Sequence, residues 1–165
     1  MKIAIRVVLI LATVGGGFAG FLAVLSAFWG RDLRDSRLLG ILCFGLLVYS
    51  IITIAGLMFA ITGRAGRNLT LAFAGMVPWV DLPGIEYHLT CALYAAVTVG
   101  PPHDAKQIAT YEFSAQMGSQ FQFRMGGPPH GEWSLGINLF AVLLMILLTV
   151  YNRQTREEAG ACVRR

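Results

Sequence analysis

The side chains in this sequence best suited to chemistry are three histidines, His88, His103 and His130, all within 68–132. Two of them close a repeated tetrapeptide, Gly100-Pro101-Pro102-His103 and Gly127-Pro128-Pro129-His130. Asp104 follows the first repeat and Glu132 lies just beyond the second. Imidazole with carboxylate is a donor set for Zn²⁺ or Cu²⁺, and rigid Pro-Pro loops would limit the entropy lost on binding. If the flanking strands pair, both loops fall at one end of a small sheet, where His103 and His130 could converge. The plainer reading is that Gly-Pro-Pro ends strands, because two histidines without tight ligand spacing do not define a metal motif. His103, His130, Asp104 and Glu132 are therefore the metal candidates, and no other cofactor is expected. His88 and Cys91 would share a face only on a helix.

Other chemistries find less support. A haem needs an axial histidine within a span, and a proton or ion path needs ionisable groups at mid-membrane. The three hydrophobic segments described below contain neither. Ser114 and Ser119 have no base placed near them by sequence. Gly15-Gly16-Gly17 lies inside an apolar run, not in a strand–loop–helix phosphate cradle. No catalytic residue is assigned, and the chain is expected not to be an enzyme.

The elements that would carry these residues follow from the charge pattern. Of 165 residues, 56% are hydrophobic and 13% charged, against about 25% charged in an ordinary soluble domain. No charge occurs between Arg6 and Arg31, between Arg37 and Arg64, or between Glu132 and Arg153. Each gap reaches or exceeds the roughly 20 residues needed to cross a bilayer core. The expected fold is an integral membrane α-helical protein with spans at 7–29, 38–62 and 133–152. A small antiparallel β segment is inserted before the last helix, and a polar tail follows at 153–165. Basic residues at the span ends suit headgroup anchoring, and no basic run interleaved with aromatics suggests nucleic acid.

Ala12, Gly16 and Gly20 recur every four residues, a small-residue face that lets another helix approach closely. The last span lacks such a face and should meet lipid over much of its circumference. Trp133 and Tyr151 would bracket it at the interfaces. The three cysteines, Cys43, Cys91 and Cys162, form no disulfide framework.

Segment 68–132 is read as extramembrane and β-rich. Its beginning, 68–80, could lie at the interface or re-enter the membrane. From residue 108 apolar residues occupy odd positions and polar ones mostly even positions, a strand period. A hairpin over 108–125 with the loop 118–120 keeps Tyr111, Phe113, Phe121 and Phe123 on one apolar face. Segment 85–99 reads as a strand, with a short fourth span as the alternative. The distribution of Lys and Arg favours an extracytoplasmic location for the β segment, in a bacterial inner (plasma) membrane.

The function expected from these features is a non-catalytic accessory or scaffolding subunit of a larger membrane complex. It would dock through Ala12, Gly16 and Gly20 and through the Tyr111, Phe113, Phe121 and Phe123 face. The partners expected are the lipid bilayer and other membrane subunits or a second copy. The alternatives are a metal-binding or metal-delivery protein using His103 and His130, and a self-associating homo-oligomer.

Overall fold

The first two charge-free segments form the long helices their composition demands. The computed structural model describes residues 2–28, 36–64, 66–102, 109–125 and 133–163. Helices α1 (Lys2–Ile10) and α2 (Gly16–Phe28) make one rod, joined by a π-helical turn at Leu11–Gly15. In that turn the Thr13 hydroxyl donates to the Leu9 carbonyl at 2.7 Å, satisfying a buried polar group within its own helix. The return helix α3 (Ser36–Thr62) packs antiparallel to the rod and ends at Gly63, whose φ of +63° forms a left-handed cap. Two helices, Lys2–Phe28 and Leu38–Thr62, are long and apolar enough to cross a membrane.

Small residues set the spacing between the rods. A Cβ on Gly17 would lie 2.5 Å from the Thr53 hydroxyl, and one on Gly56 would lie 2.7 Å from the Thr13 Cβ. Near the end where Lys2 lies, Arg6 donates to the Ala60 carbonyl at 2.6 Å and Lys2 pairs with Glu158.

Two more helices flank this end. Helix α4 (Arg67–Met76) buries Leu69, Phe73 and Met76, which lie on one helical face. Helix α5 (Leu139–Val163) buries Ala141, Leu144, Leu148 and Tyr151 in a similar stripe. The last helix thus differs from expectation in two ways: it begins at Leu139, because Ser134–Asn138 is a strand, and it runs on through the polar tail. One face packs against protein, while Leu139, Leu143 and Ile146 stay exposed. Tyr151, expected at an interface, is buried at the end where Lys2 lies. Its hydroxyl donates to the Gly63 carbonyl at 2.8 Å, and its ring meets Phe59 edge-on at 5.2 Å.

Between α4 and α5 lies a six-stranded antiparallel sheet: β1 (Pro78–Leu82), β2 (Ile85–Leu89), β3 (Leu93–Gly100), β4 (Thr110–Met117), β5 (Phe121–Met125) and β6 (Ser134–Asn138). Its order is β4-β3-β6-β1-β2-β5. The turn from β1 to β2 is made by Pro83-Gly84, with Gly84 at φ +85°, as a tight hairpin with positive φ at its second position requires. The segment expected to be one strand or a span, 85–99, is two strands separated by a link at 90–92.

The hairpin expected over 108–125 is corrected by this topology. Both strands exist, but β4 pairs with β3 and β5 pairs with β2, placing them at opposite edges. Laid flat, six strands about 4.8 Å apart would separate β4 from β5 by about 24 Å. Residues 118–120 can bridge only about 14 Å. The sheet is therefore rolled at this end, where the links 90–92 and 118–120 lie side by side. The Gly118 N–H donates to the Ala92 carbonyl at 2.8 Å and the Thr90 N–H to the Gln120 carbonyl at 2.9 Å.

Register sorts the side chains into two faces. One carries Tyr111, Phe113, Ala115 and Met117 of β4, Val97 and Val99 of β3, and Leu135 and Ile137 of β6. It continues through Val80, Tyr87, Leu89, Phe121 and Phe123. The other carries Glu112, Thr98, Asn138, Asp81, Trp79, His88, Glu86, Gln122 and Arg124. The rings of Trp79 on β1 and Tyr94 on β3 approach to 5.1 Å across the intervening β6. Their convergence marks the polar face as the inside of the roll and the apolar face as its outside.

Candidate functional site

Two surfaces of the roll have the chemistry to act: its polar interior and its apolar exterior. Inside, strand alternation aims Trp79, Glu86, His88, Gln122 and Arg124 to one side. The His88 ring stacks on Trp79 with centroids 3.9 Å apart and planes at 19°. It is 8% exposed, and neither ring nitrogen has a hydrogen-bond partner among the described residues. Burial holds its pKa below the ordinary 6.5, against the Asp81 and Glu86 carboxylates and the nearby Gln122 side chain, which pull it upward; the Gln122 approach falls short of hydrogen-bond geometry. The imidazole is accordingly held in its neutral form.

Above His88 runs a charged row. Arg124 and Glu86 are 4.0 Å apart, and the Gln122 amide donates to Glu86 at 3.1 Å. Beyond it, Asp81, Thr98, Thr110, Glu112 and Ser134 line a polar cavity of about 190 Å³. These groups can hydrogen-bond a small polar ligand. Among the described residues no three of His, Cys, Asp and Glu converge into a metal-binding group. His103, Asp104, His130 and Glu132 lie outside the described residues. Cys91 is buried in the 90–92 link, and burial pushes its thiol up to about 12, which makes it a poor nucleophile.

The exterior divides into a covered half and an open half. Phe121 packs beside Gly45, where an added Cβ would lie 2.8 Å from its ring. It also meets Phe44 at 5.9 Å and Tyr49 at 6.4 Å. Phe123 lies 5.8 Å from Phe44. The Tyr87 hydroxyl donates to the Gly75 carbonyl of α4 at 2.6 Å, and burial raises its pKa. Thus β2 and β5 rest on the chain's own helices. At the other end of the same face, Tyr111 is 74% exposed, Phe113 67% and Met117 83%. Val97, Leu135 and Ile137 beside them are also exposed. The four aromatics expected to form one partner surface are split: Phe121 and Phe123 point to α3, Tyr111 and Phe113 to open space.

The small-residue face is occupied from within. Gly16 abuts the backbone of Ala92 and Cys91, and its carbonyl accepts the Ser119 hydroxyl at 2.6 Å. Gly20 lies against the Tyr49 ring, and Ala12 is buried. Tyr49 in turn donates to the Thr90 carbonyl at 2.9 Å. The roll therefore stands beside the helical rods, with its linked end near their middle, and does not sit wholly beyond their ends.

The Trp79–His88–Tyr94 group escapes a reading of the sequence. Its only signal there is that His88 falls on the polar parity of its strand. No protein-family model matches this chain, and neither a curated protein nor a solved structure matches it significantly.

Proposed function

We propose that this chain is a non-catalytic accessory or scaffolding subunit of a membrane assembly, held by its two long apolar rods. The observation that carries the reading is the inverted dress of the rolled sheet, apolar outside and polar inside. A rolled sheet in water hides its apolar face, whereas one against lipid or membrane partners turns that face outward. Half of this face is already used by α3 and α4, and the open half offers Tyr111, Phe113, Met117, Leu135 and Ile137. Exposed apolar patches of this kind mark interaction surfaces. A bacterial inner membrane with the sheet on the extracytoplasmic side suits the charge distribution of the sequence.

The partner surface shifts accordingly from the glycine face to the sheet. The test is mild detergent extraction at native expression, followed by sizing and identification of bound chains. A defined second membrane protein is expected with the wild type, and it should be lost when Phe113→Ser and Ile137→Ser are combined in a variant that remains folded. Recovery of this chain with no other protein under all mild conditions refutes the reading.

A further inference from the structure

Strand β4 is a sheet edge that lacks the features by which edges are ordinarily protected. It is eight residues long, contains neither proline nor lysine, and bears one charge, Glu112. Every residue in 111–117 is exposed. Edges with this composition pair with another strand. The opposite edge, β5, is shorter and stands against the rods at Gly45 and Phe44.

One hydrogen bond fixes which backbone groups of β4 are available. The Gly118 N–H reaches the Ala92 carbonyl, in step with the register that opposes Met117 to Leu93. Bonded and non-bonded pairs alternate along an antiparallel ladder. The even-numbered residues of β4 therefore turn their N–H and C=O groups to β3. Tyr111, Phe113, Ala115 and Met117 turn theirs outward.

We infer that a second copy of this chain occupies this edge, β4 against β4, antiparallel about a two-fold axis at Ser114. Two requirements set the parity of the register. Hydrogen bonding needs odd-numbered residues to face odd-numbered residues, and continuity of the apolar face needs the same parity. Centring on Ser114 opposes Tyr111 to Met117 of the second copy and Phe113 to its Ala115, giving about eight backbone hydrogen bonds, two per bonded pair. Glu112 then faces Gln116 of the second copy, whose amide can donate to it, and no like charges meet. A register centred on Phe113 keeps the parity but leaves Met117 opposite residue 109, outside the strand. The pairing joins two rolled sheets into one surface with a continuous apolar exterior. It stands apart from the scaffold reading, since a homodimer carrying no other protein would refute that reading alone.

Cysteine cross-linking of the full chain in membranes tests the register, with Cys43→Ser and Cys162→Ser as background. Ser114 faces itself in a non-bonded pair, with Cα atoms about 4.5 Å apart, within disulfide range. The two copies of Glu112 are about 13 Å apart, four residues along the strand at about 3.3 Å each. Ser114→Cys is expected to convert to a covalent dimer under mild oxidant while Glu112→Cys stays monomeric. Equal linking of both variants, or linking of neither, overturns the proposal. Light scattering of the wild type in mild detergent supplies an independent reading: a dimer mass is expected, and a monomer at all concentrations overturns it.

Discussion

Gly20→Ala adds one methyl group where there is no room for it. The new Cβ would overlap Cε1 of the Tyr49 ring, and Tyr49 is 0% exposed. Tyr49 cannot yield freely, because its hydroxyl is held by the Thr90 carbonyl at 2.9 Å and its ring meets Phe121. Overpacking of a tight core costs about 1–3 kcal/mol. If the ring moves, the Thr90 carbonyl loses its partner, a further loss of about 1–3 kcal/mol. The two effects overlap in part, so a destabilisation of about 3 kcal/mol is expected. Gly40→Ala is the control: nothing lies within 4 Å of its added Cβ, and alanine favours the helix by up to about 1 kcal/mol. Unfolding of the detergent-solubilised protein, followed by tryptophan fluorescence, measures both. Adding Tyr49→Leu to Gly20→Ala should recover part of the loss, since residues in contact couple. Equal stability of Gly20→Ala and Gly40→Ala would refute the packing account.

Acid should weaken the fold through His88. Its folded pKa is lowered by burial, so the unfolded chain binds more protons. The stability this contributes is full above the ordinary value of 6.5 and is lost as pH falls below it toward the depressed folded value. Unfolding midpoints at successive pH values should fall across that window in the wild type and fall less in His88→Gln. Identical slopes would remove His88 as the cause. Asn138 caps α5 through its side-chain oxygen, which accepts the Phe140 N–H at 3.1 Å and the Ala95 N–H at 3.4 Å. Asn138→Ala is expected to cost about 1–2 kcal/mol in chemical denaturation, and an unchanged midpoint would contradict that role.

The parity of the strands was legible because alternation is a local property. Tyr111, Phe113, Phe121 and Phe123 do lie on one face of the sheet, and 118–120 does link their strands. A period of two reports which face a side chain takes but says nothing of which strand lies beside it, and so cannot reveal that these two strands occupy opposite edges. The start of the last helix likewise depends on distant pairing. Trp133-Ser134-Leu135-Gly136-Ile137-Asn138 continues the charge-free stretch of the helix, and its alternation becomes decisive only through pairing with β1 and β3. The Ala12, Gly16 and Gly20 spacing marked a close-packed face. Its occupants, Tyr49 and the 90–92 link, come from far along the chain.

Local pattern suffices for the two long apolar rods, the β character of the middle segment and the sorting of its side chains into polar and apolar sets. Each of these depends on composition and on periods of a few residues. Long-range pairing sets the rest: the sheet rolls with its polar side inward, Trp79 covers His88, and α3 and α4 cover half of the apolar exterior while β4 stays open. Those outcomes depend on which distant segments meet, because closure of the roll by two short links forces neighbours that no local pattern specifies.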